Sequence, residues 1–417
     1  MLNQPNKMIM KKTMKGMLGV LLVSMVMFSC QKEDPPVADF QADATDVFTG
    51  AVVTFTDLST NNPTTWDWDF GDQGTSTMQN PTHTYTEAGV YTVSLTTSNE
   101  GGSNTVTKTD YITVTVEQTE AEKLVEYMED PTSPTANYAN VAMPAIKTAD
   151  HVRSLQLLDK VYIIDIRAAA DYDAGHIAGA VNVATADLLT HIEGVDLAPY
   201  DEVSIVCYSG QTAGWAASLL RLLGYDKVFS LKWGMCSWNA ATSGSWTNPA
   251  NVNNSRAAQF VTTASPKGPA GDLPTINTGG ATPQDILEAR VEAVLAEGFG
   301  EARITNGTVY GALSNYYIVN YWPETDYTGM GHIEGAIQYT PKADIASSTF
   351  LNTLPTDKTV VVYCYSGQTS ANMAAYLRVI GYNAKSLTYG ANGMIYDALP
   401  SHKWSADAIY GGDVVTD

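Results

Sequence analysis

The hexapeptide Cys207-Tyr208-Ser209-Gly210-Gln211-Thr212 returns unchanged 157 residues later as Cys364-Tyr365-Ser366-Gly367-Gln368-Thr369. Each copy follows an apolar run (Val203, Ile205 and Val206 in one, Val360 to Tyr363 in the other), and each opens a helix-like stretch. A buried strand that turns at once into a helix leaves its junction residue among unpaired N–H groups, at the positive end of the helix dipole. A cysteine placed there is expected as a thiolate in a loop that can cradle an anion. The surroundings repeat too. Gly175-His176-Ile177-Ala178-Gly179-Ala180 answers Gly331-His332-Ile333-Glu334-Gly335-Ala336, Gly224-Tyr225 answers Gly381-Tyr382, and Arg221 answers Arg378. Matching over so long an offset means a duplicated domain rather than a short solenoid repeat.

The chain of 417 residues has room for about three domains at ~100–200 residues each. A formal charge of −21, with no basic stretch beyond the N-terminus, argues against a nucleic-acid partner. Four cysteines are too few for a disulfide scaffold. Neither metal-ligand spacing nor a glycine-rich dinucleotide fingerprint occurs, so no metal and no cofactor is expected.

Residues 1–30 read as an export signal. Lys11, Lys12 and Lys15 make a basic start, and Met17 to Phe28 is apolar but short for a spanning helix. The segment ends Met27-Phe28-Ser29-Cys30, which resembles the lipobox of bacterial lipoproteins, with Met where Leu is usual. That resemblance implies lipidation of Cys30 and a membrane-anchored protein of the cell envelope, on the periplasmic or outer side of the outer membrane. The bland alternative is an ordinary signal peptide with an incidental cysteine. Residues 31–36 form a tether, and its Gln31-Lys32-Glu33-Asp34 resembles the acidic export signal of some surface lipoproteins of Bacteroidetes-like bacteria.

Residues 37–117 alternate apolar and polar positions, as in Val52-Val53-Thr54-Phe55-Thr56 and Tyr91-Thr92-Val93-Ser94-Leu95, with turn residues at Asn61-Asn62-Pro63 and Gly71-Asp72. The pattern is that of an all-β sandwich. Trp66-Asp67-Trp68-Asp69-Phe70-Gly71-Asp72, then Asn80 to Tyr85, then Gly89 to Val93, resembles the Ig-like PKD domain over the whole segment. The resemblance implies a spacer or adhesion module, open to a surface glycan or protein contact. Asp67, Asp69 and Asp72 are read as turn and edge residues rather than as metal ligands.

Residues 118–250 and 272–417 each alternate strand-like and helix-like runs, which implies α/β domains with parallel sheets. Residues 251–271 are taken as the linker, at the centre of a stretch from Thr247 to Ala281 rich in Asn, Pro, Gly and Thr. Thr282-Pro283 starts a helix, running to about Glu297, assigned to the second copy. In parallel sheets, ligands sit beyond the carboxyl ends of strands, where Cys207 and Cys364 fall.

Four motifs in order carry a further resemblance: Asp165-Ile166-Arg167, the Gly175–Ala180 turn, the cysteine loop, and the ending Trp233-Gly234-Met235-Cys236-Ser237-Trp238. Together they resemble rhodanese domains. The resemblance implies sulfur transfer through a persulfide on Cys207, and on Cys364 as a second site, between a small sulfur donor and a thiol or cyanide acceptor. The backbone of Tyr208, Ser209, Gly210, Gln211, Thr212 and Ala213, and of Tyr365, Ser366, Gly367, Gln368, Thr369 and Ser370, is then the substrate-binding loop. Asp165, Arg167, His176 and His332 are read as supporting residues, and Arg221 and Arg378 as bracing or solvent-facing ones. The six-residue loop without Arg or Lys is unlike that of the phosphatase branch, and favours polysulfide over a doubly charged donor such as thiosulfate.

The second copy has Asn320-Tyr321-Trp322 where the first has Asp-x-Arg, so Cys207 is taken as the principal site. Cys236 is read as a free thiol, with a Cys207–Cys236 redox pair as the alternative. The competing function is a non-catalytic envelope binding or scaffold lipoprotein. Against it stands the identity of the two loops, which a scaffold without turnover would have no reason to keep.

Overall fold

A computed structural model describes residues 32–416, which form two compact units, one ending at Glu117 and one beginning at Gln118. The export segment and Cys30 lie outside the described residues. Among the described residues no helix is long and apolar enough to cross a membrane.

The first unit is a sandwich of two sheets. One carries the strands Phe40–Ala42, Val52–Asp57 and Thr82–Thr84. The other runs in the order Asp46–Phe48, Gly102–Thr115, Gly89–Asn99, Thr65–Asp69, Thr75–Ser76. The alternation seen in the sequence sorts residues between faces: Phe40, Val53, Phe55, Trp68, Val93 and Leu95 fill the interior. The Trp68 indole N–H donates to the Met78 carbonyl at 2.9 Å, so the ring is buried without stranding its polar atom. Asp69 accepts from the Gly71 N–H at 2.9 Å, and Asp72 accepts from Gly74 and meets His83 at 2.7 Å. These carboxylates close turns. No cluster of three or more metal-ligating side chains occurs among the described residues.

The second unit holds two five-stranded, all-parallel sheets of the same strand order. In the first copy the order is Val181–Asn182, Val161–Asp165, Glu202–Val206, Val228–Leu231, Ile146–Lys147. In the second it is Ile337–Gln338, Tyr316–Asn320, Thr359–Tyr363, Ala384–Leu387, Arg303–Ile304. The cysteine loops therefore leave the central strand of each sheet. The helices that follow, Gln211–Leu222 and Gln368–Ile380, are buried on nearly all sides. Both lack the one-sided apolar stripe of a surface helix because each is sandwiched between its own sheet and the other helix. One hydrophobic core therefore runs through both copies, from Val203, Ile205 and Leu219 to Val360, Val362 and Leu377.

The copies also exchange chain segments. The helix Pro283–Glu301, interrupted at Gly298 and assigned from the sequence to the second copy, packs on the loop helices of both copies. Its Arg290 guanidinium caps the carbonyls of Arg378 and Val379 at 2.7 and 3.0 Å, while Phe299 meets Trp215 of the first copy at 6.0 Å. Residues 251–271 are bound to the second copy: Phe260–Val261 pair antiparallel with His332–Ile333, and the N–H groups of Asn253 and Arg256 donate to the carbonyls of Asn392 and Met394. The C-terminal tail makes the mirror-image contact, with Val415 and His176 exchanging two backbone hydrogen bonds of 2.9 Å. Each copy's trailing segment thus adds to its neighbour.

Candidate active site

Each cysteine sits where the central strand ends, and Gly210 or Gly367 at φ near +80° turns the chain into its helix. Cys207 is 5% exposed, and its Sγ accepts from the N–H groups of Gly210 at 3.2 Å and Ala213 at 3.3 Å. Cys364 is 2% exposed, accepts from the Ser370 N–H at 3.3 Å and lies 3.6 Å from the Ser370 hydroxyl. That hydroxyl meets Ser386 Oγ at 2.8 Å. The sulfurs are held by backbone amides of the first helical turn, as the strand–cysteine–helix pattern requires.

The protonation state departs from expectation. Burial pushes the Cys207 thiol above the ordinary range. The amides of Ala213, Ser209 and Gly210 pull it down, and the charge of Asp165 adds to the rise. Desolvation outweighs the amides in this balance, against the expectation that the position favours the thiolate. The cradle is a place where a charge can be stabilised once formed, not a standing thiolate.

The wall over each loop comes from the family-like ending. Trp233, at φ +65°, and Gly234 lie directly against the first loop, with Met235 donating to the Cys207 carbonyl at 2.8 Å and Cys236 to that of Tyr208 at 3.3 Å. A Cβ on Gly234 would stand 2.3 Å from the Cys207 carbonyl oxygen, so only glycine fits. In the second copy Tyr389, at φ +61°, and Gly390 take those places, and Ala391 and Asn392 donate to Cys364 and Tyr365 at 3.0 Å. Asn392 therefore stands where Cys236 stands. The Cys236 thiol donates to the Thr242 carbonyl at 3.2 Å, and burial pushes it up to about 11, which makes it an inert buried thiol.

Asp165 and Arg167 form a buried fork, with Nη2 at 2.6 Å from Oδ2 and Nε at 3.0 Å from both carboxylate oxygens. Arg167 also donates to the Gly175 carbonyl at 2.8 Å and lies 5.1 Å over the Tyr208 ring. Its charge is neutralised by Asp165 rather than offered to the sulfur. In the second copy Asn320 is buried and donates to the Tyr363 hydroxyl at 2.8 Å, and Trp322 stacks on Tyr365 at 4.9 Å. His176 and His332 lie behind the loops, each stacked on a tyrosine (Tyr172 at 3.7 Å, Tyr327 at 3.6 Å) with Nδ1 against that tyrosine's carbonyl. Thr212 and Thr369 are half-buried in the first helical turn, and Tyr208 is the one loop residue of the first copy that is exposed. Arg221 and Arg378 brace strand ends, donating to the carbonyls of Val228 and Ala384.

Sequence reasoning missed four contributors. Lys232 lies 5.5 Å over the Trp233 ring, and Trp246 donates to the Ser209 carbonyl at 3.0 Å. Trp404 and Tyr389 join Trp233 and Trp246 in an aromatic cluster drawn from both copies. No local pattern marks residues that meet across a duplication.

The most consequential omission is the role of the glutamines. Gln211 Oε1 accepts from the Tyr389 N–H, and Gln368 Oε1 accepts from the Trp233 N–H, both at 2.9 Å. Each loop is thus bonded to the other copy's wall, which gives the shared glutamine a structural reason.

Residues 33–114 match the PKD domain, and residues 148–241 and 312–395 each match the rhodanese-like domain. The thiosulfate sulfurtransferase GlpE of Pseudoalteromonas translucida is 36% identical over 102 residues, 24% of this chain and 94% of that protein. GlpE of Pseudomonas fluorescens is 33% identical over 106 residues, 25% of this chain and 88% of that protein. Among solved structures, the PKD1 domain of Vibrio anguillarum Epp is 33% identical, covering 20% of this chain and 99% of that one at a TM-score of 0.18. With two segments matching one domain model and relatives covered almost end to end, the chain belongs to the rhodanese-like family.

Proposed function

We propose that this protein is a sulfurtransferase that carries sulfane sulfur as a persulfide on Cys207, and on Cys364 as a second site. The observation that carries the reading is the pair of amides, Gly210 and Ala213, aimed at the Cys207 sulfur from the end of the central strand. After loss of its proton to solvent, the Cys207 thiolate attacks the terminal sulfur of a polysulfide or low-molecular-weight persulfide. The donor S–S bond breaks, the shortened donor leaves with the electron pair, and Cys207–S–S⁻ remains in the cradle. A thiolate or cyanide acceptor then attacks the outer sulfur and regenerates the cysteine, giving ping-pong kinetics. The neutralised Arg167 and the loop without cations favour a singly charged low-molecular-weight persulfide over a dianion such as thiosulfate.

In this reading the Cys30 lipid holds the protein in the cell envelope, at the outer membrane, and the PKD domain is a spacer open to glycan or protein contact. Replacing Cys30 by Ser should move the protein from the membrane to the soluble fraction.

The deciding experiment is intact mass after polysulfide treatment, with Cys207→Ser and Cys364→Ser beside the parent. The expected result is a gain of about one sulfur per surviving loop cysteine, removed by cyanide. No gain in the parent would end the sulfur-carrying reading. It would favour the scaffold alternative, to which the deep burial of both sulfurs and the reciprocal glutamines already lend support.

A further inference from the structure

Trp233 and Tyr389 are both non-glycine residues in the left-handed region, at φ +65° and +61°. Side chains rarely adopt that conformation, and it persists only where the surroundings hold it. Each of these residues begins the wall that lies on a cysteine carbonyl, and the N–H of each is bonded to a glutamine of the opposite copy. Gln211 and Gln368 are 3% and 1% exposed. Their amide nitrogens donate to Ser209 Oγ at 3.1 Å and Ser366 Oγ at 3.4 Å, which fixes the oxygen toward the neighbour. The close fit extends to the glycines. A Cβ on Gly210 would stand 2.6 Å from Gln368 Oε1, and one on Gly367 would stand 2.5 Å from Gln211 Oε1.

From this reciprocity we infer that the glutamines are crosswise positioning residues: Gln368 sets the sulfur site of Cys207, and Gln211 sets that of Cys364. The inference deepens the sulfur-carrying reading and rests on it for what the cysteines do. Gln368 holds Trp233, Trp233 fixes the Gly234–Met235 turn, and Met235 donates to the Cys207 carbonyl at the root of the amide cradle. The mirror path runs from Gln211 through Tyr389 and Ala391 to Cys364. Each site therefore depends on a glutamine of the other copy, which gives a reason for both loops to keep that residue.

The test uses the full chain in two backgrounds, Cys207 alone (Cys364→Ser) and Cys364 alone (Cys207→Ser), each with Gln211→Met or Gln368→Met. Methionine keeps the length and shape of glutamine and removes both the acceptor for the opposite wall and the donor to the loop serine. Two properties of each surviving cysteine are read: its rate of loading by polysulfide, and its alkylation by iodoacetamide across pH 6 to 10.

Gln368→Met should slow loading of Cys207 about tenfold, the equivalent of one lost hydrogen bond, and move its alkylation profile to higher pH. Gln211→Met should do the same to Cys364. Each variant also loses its bond to Ser209 or Ser366 in its own loop, so its own copy's cysteine should respond too, but less than the opposite one. Hydrogen exchange at the Trp233 N–H should accelerate in Gln368→Met but not in Gln211→Met, which checks the bond itself even if stability falls. Effects confined to the same copy, or equal on both cysteines, would overturn the inference. If polysulfide loads neither parent, the sulfur-carrying reading fails, while the alkylation profiles and hydrogen exchange still decide the crosswise one.

Discussion

The first copy anchors its loop with a buried ion pair, Asp165–Arg167, whereas the second has Asn320 and a stack of Trp322 on Tyr365 at the same places. The first sulfur faces Ala213 and the second faces the Ser370 hydroxyl; the first wall carries Cys236 and the second Asn392. Yet sheet order, the turn into the helix and the amide aimed at sulfur are the same in both. The cradle is made of backbone, so it survives any side-chain change that keeps the strand–turn–helix path. What varies is the support behind it, which can be ionic or aromatic at equal burial.

That comparison can be broken most sharply at the ion pair. Arg167→Leu leaves Asp165 buried without its partner and should cost about 3–5 kcal/mol in urea unfolding. Asn320→Leu at the corresponding place in the second copy should cost about 1 kcal/mol, the worth of a neutral hydrogen bond. Equal losses would mean that the two supports are interchangeable.

The walls, by contrast, should respond alike. Gly234→Ala and Gly390→Ala each force a Cβ into a cysteine carbonyl at 2.3 and 2.2 Å, at φ of +61° and +51°. Each should destabilise the protein by about 1–3 kcal/mol and reduce loading of its own copy's cysteine. A tolerated substitution in one copy would show that its wall has room to move.

The pH dependence of Cys207 follows from burial. With its pKa raised, the thiolate fraction at neutral pH is small and should climb about tenfold per pH unit until the ordinary thiol range is passed. Alkylation of the Cys207-only protein should therefore still be rising at pH 9. A plateau near pH 7 would mean that the amide cradle outweighs desolvation.

The smallest effect is expected at Ser370. Its hydroxyl can turn to donate to the Cys364 thiolate, so Ser370→Ala should slow alkylation of Cys364 at neutral pH about two- to fivefold. An unchanged rate would assign the hydroxyl to Ser386 alone.

Much of this was legible in the chain. The duplication and the cysteine at a strand end could be read because they depend on near neighbours: apolar runs, a glycine at a positive-φ turn, and helical spacing. The buried Asp165–Arg167 fork was legible as a bracing pair because its members are two residues apart. The aromatic cluster of Trp233, Trp246, Trp404 and Tyr389 was not, since its members are drawn from segments separated by up to 171 residues. Nor was the course of residues 251–271, whose Asn- and Pro-rich composition reads as loose chain. Phe260 and Val261 find an open backbone edge only once the second copy is folded.

A repeated strand–cysteine–helix motif following a β-sandwich can be read from the chain, because local periodicity and turn chemistry select those elements without outside help. Only the folded chain shows that the two copies share one core, that each glutamine serves the other copy's wall, and that burial raises the Cys207 thiol. Burial and cross-copy hydrogen bonds are set by where distant segments meet, and desolvation of a sulfur exists only after the chain has closed around it.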